Sequence, residues 1–192
     1  TDANLTDANL TDADLRNADL TRANLTRANL RLANLTGANL CLANLTRANL
    51  TRACLAGADL TGADLTSTNL TGAIMRFIKL SGANLTGANL SYLDLSFADL
   101  SGANLTDAKL NGATLDHTNL SLADLSGANL TSTNLTSTNL TGANLTGADL
   151  NNATLHHTNL SLTNLTGAIM RFIKLSGANL TGAVMPKVAD NN

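Results

Sequence analysis

An all-β fold, a right-handed quadrilateral parallel β-helix, is what the sequence predicts, and three observations predict it. Every fifth residue from Leu5 to Leu180 is Leu, except Met75 and Met170, and Met185 closes a series of 37 unbroken five-residue units. Two residues before each Leu stands Ala in 28 of the 37 units, with a polar residue, usually Asn or Asp, between them. All 14 glycines fall at the second residue after the Leu, from Gly37 to Gly182.

Each observation fixes one part of the coil. A helix cannot keep every fifth residue on one face, because five residues turn it through about 500°. An uninterrupted strand, with its period of two, fails as well. The order apolar, polar, Leu is a short in–out–in alternation, so those three residues run extended. The next two bend the chain. Glycine confined to the second bend position signals φ > 0, as in a type II turn, and Asn17 and Asn152 in the same slot tolerate that conformation. Four such corners close a square, giving coils of 20 residues. Stacked about 4.8 Å apart as parallel strands, a little over nine coils make a rod of roughly 44 Å.

Composition agrees. Apolar residues make up 44% of the chain but aromatic residues only 2%, and Glu, Gln and Trp are absent. Such a chain has too few rings for an ordinary core and too much Leu and Ala for disorder; it suits many small identical layers. The net charge of −2 is neither the footprint of a nucleic-acid binder nor a strongly acidic surface. No apolar run approaches the ~18 residues of a membrane span, and no leader is visible. Cys41 and Cys54 point to different faces, which predicts free thiols and, with the missing signals, a cytoplasmic location.

The motif A(N/D)LXX, seen in Ala3-Asn4-Leu5-Thr6-Asp7 and Ala148-Asp149-Leu150, resembles the pentapeptide-repeat family, and its cyanobacterial members in particular. The resemblance spans essentially the whole chain, with residues 1–185 as one continuous solenoid and 186–192 as a short tail. It implies the right-handed quadrilateral β-helix and leaves function open, because family members do unrelated things. A second level of repetition lies on top: TNLTGAIMRFIKLSGANLTGA occurs at 68–88 and again, unchanged, at 163–183. A fusion or duplication of two units, or plain repeat expansion, would each produce it.

Departures from the repeat carry structural expectations. Thr118, Thr138 and Thr158 replace Ala one coil apart and are expected to stack inside, passing hydroxyl hydrogen bonds along the ladder. Ile78, Leu93 and Ile173 are expected to widen their coils. Asp2 above Arg22 and Asp7 above Arg27 are expected to pair. Pro186 stops the ladder. Unpaired strand edges at both ends invite end-to-end or side-by-side self-association.

Candidate sites are few. Phe77, Phe97, His117 and His157 share one corner row, with Tyr92 and Phe172 on the next; they either contact a partner or fold over apolar wall. Six of the eight Arg come early, among them Arg22, Arg27, Arg47 and Arg52, and either grip an anionic partner or form a solvated collar. Asp116, His117, His156 and His157 do not have the spacing to share a metal ion. No nucleophile–base set converges, and a filled rod is expected to have no pocket. One unbroken hydroxyl row, Thr6 to Thr166, lacks the second parallel row that an ice-binding face needs. The functional expectation is a non-enzymatic structural or protein-interaction rod, without cofactor or metal, contacting neither nucleic acid nor membrane. The resemblance implies one alternative, a DNA mimic that binds a type II topoisomerase (gyrase). The eight mid-wall Asp (Asp14, Asp19, Asp59, Asp64, Asp94, Asp99, Asp124 and Asp149) would then need to form a continuous negative stripe.

Overall fold

A single hydrogen-bonding scheme, repeated every five residues, explains the architecture. The computed structural model of the protein describes residues 1–187, and the rest of the expected tail, 188–192, lies outside the described residues. In the first repeat, Leu5 N donates to Asn24 O of the next coil (2.7 Å) and Asp7 N to Thr26 O (3.0 Å), while Asn24 N donates back to Ala3 O (2.8 Å). Ala8 N closes the turn onto Leu5 O (3.0 Å). Thr6 N, the remaining amide, bonds the Asn4 side-chain oxygen (3.2 Å), which also accepts from the Thr6 hydroxyl (2.7 Å). Every backbone N–H of the repeat thus has an acceptor, as burial against a packed wall requires. The scheme also explains the Asn or Asp of each unit: its side chain makes the Asx turn that starts the corner.

Parallel bridges join each mid-wall residue except Ile74 to the one 20 positions on, from Asn4–Asn24 to Asn164–Val184. Twenty residues therefore make one coil of four walls and four corners. We number the walls by their central residues: wall 1 carries Leu5 and Leu25, wall 2 Leu10 and Leu30, wall 3 Leu15 and Leu35, wall 4 Leu20 and Leu40. Each corner takes the number of the wall before it. The walls pair through single bridge residues rather than extended strands, because only three residues separate one turn from the next.

The interior is a stack of Leu and Ala columns. From Leu25 to Leu165 the central column is fully buried, and the Ala column between them nearly so. At the corners, all 14 glycines have φ between 61° and 72°, and 23 other residues adopt the same left-handed conformation. Bulky Phe77, Tyr92 and Leu122 are among them, at φ 58°, 61° and 60°, which costs such residues about 1–2 kcal/mol each.

One expectation about the interior needs correction. The buried Thr hydroxyls do not bond one another. Thr118, Thr138 and Thr158 donate to the backbone oxygens of Leu95, Leu115 and Leu135, at 2.9, 2.6 and 2.6 Å, and Thr68, Thr133 and Thr163 follow the same rule. A carbonyl with two lone pairs serves both the turn amide and the hydroxyl from the next coil. The three large replacements of Ala differ in what they do to the ladder. Ile78 and Ile173 leave the ladder to the preceding coil intact, with Lys79 N–Ala58 O at 3.0 Å and Lys174 N–Ala153 O at 3.1 Å. Beside Leu93, which stands above Ala73, the ladder opens: neither Asp94 N nor Met75 N finds its partner on the neighbouring coil.

Candidate contact surface

Wall 3 and its corner differ from the rest of the molecule. Five of the nine mid-wall residues of wall 3 are neither Asn nor Asp: Cys54, Ile74, Thr114, Thr154 and Lys174. At these five repeats no Asx turn forms, so the local polar scheme is interrupted here more often than on the other walls, which depart from it at Lys79, Lys109, Ile169 and Val184. Ile74 lies 53% exposed in the gap.

On the adjoining corner 3, the rings of Phe77 and Phe97 stack at 5.5 Å and 19°, and Phe97 stacks on His117 at 5.0 Å and 14°. The spacing follows from the coil repeat, since residues 20 apart lie one strand spacing apart along the axis. Phe77 and Phe97 remain 58% and 46% exposed, so the stack presents its ring edges outward. Charged groups frame it. Arg76 lies over the Phe77 ring at 5.5 Å and reaches Asp94 at 3.5 Å, while His117 Nδ1 lies 3.0 Å from Asp116 Oδ2. His156 Nδ1 is buried without a hydrogen-bond partner.

The other anticipated residues do not join this ridge. Tyr92 projects from corner 2 and leans over Gly112, where an added Cβ would meet its ring at 2.5 Å. Phe172 shares that corner four coils further on and is 82% exposed. The early arginines are divided among corners: Arg27 and Arg47 on corner 1, Arg52 on corner 2, Arg22 on corner 4. Arg27 is held by Asp7, with contacts of 2.7 and 2.6 Å, and keeps the Asp7 carboxyl below its ordinary range. The expected twin pair, Asp2 with Arg22, does not form; Arg16 instead pairs with Asp14 on its own coil and holds that carboxyl at about 2.

Sequence reasoning passed over a row of exposed leucines on corner 4. Leu42, Leu122 and Leu162 each lean over the glycine one coil later, Gly62, Gly142 and Gly182. The signal was present as a large corner residue followed 20 positions on by Gly. The interior is filled, and an open groove of about 600 Å³ lies instead at the last described coil, lined by Ala168, Ile169, Met170, Ile173, Met185 and Lys187 among others.

The electrostatics bear on the alternative reading. Among the described residues, no two Asp occupy neighbouring positions in any axial column, so the acid groups form no continuous stripe. On wall 4, Lys79 lies between Asp59 and Asp99 and bonds Asp59 at 3.3 Å. Burial pushes the Asp59 carboxyl up, but hydrogen bonds from Thr61, Cys41 and Lys79 outweigh it and hold the group at about 2. Burial and the same carboxylate push the Cys41 thiol up; both cysteines are free. Among the described residues, no three His, Cys or Asp side chains gather closely enough to hold a metal ion, and no helix is long and apolar enough to cross a membrane.

A coil of four five-residue walls, with Leu and Ala inside and Asn or Asp outside, defines the class of protein. The chain belongs to the pentapeptide repeat family, whose model matches at residues 3–41, 43–82, 76–107, 103–142 and 143–182. Among solved structures it is similar to HetL, a pentapeptide repeat protein involved in heterocyst differentiation regulation in the cyanobacterium Nostoc sp. strain PCC 7120. The two share 39% identity over 95% of this chain and 85% of HetL, with a TM-score of 0.59. A pentapeptide repeat protein of the Arabidopsis thaliana thylakoid lumen is 38% identical over 47% of this chain and 63% of its own length, with a TM-score of 0.46. QnrB1, a plasmid-mediated fluoroquinolone resistance protein, is 20% identical over 74% of this chain and 86% of its own, with a TM-score of 0.43. No curated protein matches the chain.

Proposed function

We propose that the chain is a non-enzymatic protein-interaction rod, a right-handed quadrilateral β-helix that engages a protein partner through wall 3 and corner 3. The observation that carries this reading is the exposed Phe77–Phe97–His117 stack beside the wall whose Asn/Asp scheme is most often broken. Exposed aromatic edges next to Ile74, framed by Arg76, Asp94 and Asp116, have the anatomy of an interface core with a polar rim. A filled interior with two rigid turns per ten residues supplies a preorganised surface, which lowers the ordering cost of association. The membership of the chain in a repeat family, rather than an enzyme family, accords with binding without chemistry of its own.

The test is affinity capture from a lysate of the source cell with three baits: the wild-type rod, the Phe77→Ala/Phe97→Ala rod, and an unrelated β-solenoid. A protein retained by the wild type and lost by at least tenfold with the double variant is the expected result, of the size that truncating aromatic hot spots produces. Equal retention by wild type and double variant would refute the assignment of the surface. Selective enrichment of gyrase subunits, insensitive to the double variant, would favour the DNA-mimic alternative.

A further inference from the structure

One junction between coils is unlike every other. Between Asp2 and Leu165, the amides that lack their expected partner on the neighbouring coil are Ser67, Leu70, Gly72, Met75, Asn89 and Asp94. All six belong to one junction, between residues 67–75 and residues 86–94. The parallel bridge absent from the series, Ile74–Asp94, lies there too. On walls 4 and 1 the same junction is closed, with Leu80 N–Asp99 O at 2.7 Å and Leu85 N–Asn104 O at 2.7 Å. The opening is therefore a wedge, widest on wall 3, where the bridge is lost, and narrower on wall 2, where the Asn69–Asn89 bridge persists although its hydrogen bonds are stretched.

Its cause is steric. Leu93 occupies an Ala position directly above Ala73, and overfilling a packed layer forces backbone shifts. Met75 and Ile78 enlarge the same layer. The bonds bordering the wedge are stretched, to 3.4 Å for Phe77 N–Ser96 O and Ile78 N–Met75 O, and to 3.3 Å for Leu93 N–Leu90 O. Two side-chain contacts span the gap from outside: the Phe77–Phe97 stack and the Arg76–Asp94 pair. The sequence marks the same place, since the 21-residue segment that recurs at 163–183 ends its first copy, 68–88, at the wedge.

We propose that the wedge is a hinge. The coil stacks 1–85 and 86–187 rock about the intact walls 1 and 4, and the Phe77–Phe97 stack with Arg76–Asp94 is the clasp that closes the open side. Local opening of this kind starts where backbone bonding is weakest, and it divides a solenoid into separately cooperative blocks. The inference rests on the backbone ladder and stands whether or not corner 3 binds a partner.

Native-state hydrogen exchange of the whole chain, resolved by residue, tests it. The amides that decide are Phe77, Ile78 and Leu93, which are bonded when the wedge is closed. They are expected to exchange on the order of tenfold faster than Phe97, Ala98 and Ala113, their equivalents one coil on. Phe97→Ala, a surface change, is expected to accelerate them further, and Leu93→Ala to bring them within about threefold of the equivalents. If Phe77, Ile78 and Leu93 are protected like their equivalents, the wedge is static and the hinge is overturned. If Phe97→Ala leaves their exchange unchanged, the clasp is overturned, and that reading does not require the Leu93 variant to fold.

Discussion

A corner residue in this protein answers to two neighbours: its own backbone, which demands φ > 0, and the corner one coil on, over which its side chain leans. Gly147 and Gly112 separate the two demands. Both have φ near 68°, but a Cβ at Gly147 meets open space, whereas one at Gly112 would come 2.5 Å from the Tyr92 ring. Gly147→Ala is expected to cost about 1–2 kcal/mol in chemical denaturation through backbone strain alone. Gly112→Ala is expected to add displacement of Tyr92, visible in tyrosine fluorescence because this is the only Tyr in a chain without Trp. Unchanged fluorescence would show that the ring does not rest on the corner. The left-handed corner was legible from the glycine column, since no other residue type is confined there without that reason. The leaning of Tyr92, Leu42 and Leu122 was written in pairs 20 residues apart and becomes readable only after the coil length is fixed. The Thr hydroxyls were misjudged for a related reason: their acceptor is a Leu carbonyl 23 residues back, not the next Thr.

At the scale of a wall, hydrogen bonds and charges follow the axial columns. Asp59 on wall 4 is held at about 2, against an ordinary 3.8, by Thr61, Cys41 and Lys79, against the opposing effect of burial. A carboxyl depressed in the folded state contributes stability that is fully present above its unfolded value and is lost as pH falls through its folded value. Urea midpoints are therefore expected to fall between pH 3.8 and about 2, with Asp14, also near 2, contributing to the same window. In Asp59→Asn the slope over this window is expected to be shallower. An identical slope in the variant would mean that Asp59 titrates alike in both states. The register of each wall was legible in the sequence, residue by residue. Which large replacement of Ala would open the ladder was not, because Ile78, Leu93 and Ile173 look equivalent locally and differ only in the residues stacked against them.

The molecule as a whole is a stack of nearly identical layers, so function is legible only where the layers stop being identical. Wall 3, with Cys54, Ile74, Thr114, Thr154 and Lys174 in place of Asn or Asp, is the largest such departure, and the ring stack on corner 3 adjoins it. The corner row was visible in the sequence as Phe77, Phe97 and His117 at intervals of 20. The arginines also looked clustered along the chain, yet the coil distributes Arg22, Arg27, Arg47 and Arg52 over three corners. Proximity in sequence is not proximity on a solenoid; only multiples of the coil length are. The most direct test of the contact surface is site-specific photo-crosslinking in source-cell lysate, with p-benzoylphenylalanine replacing Phe97 in one protein and Asn129, on wall 2, in another. The account predicts a discrete heavier adduct from position 97 and none from position 129. Adducts at both positions, or at 129 alone, would contradict it.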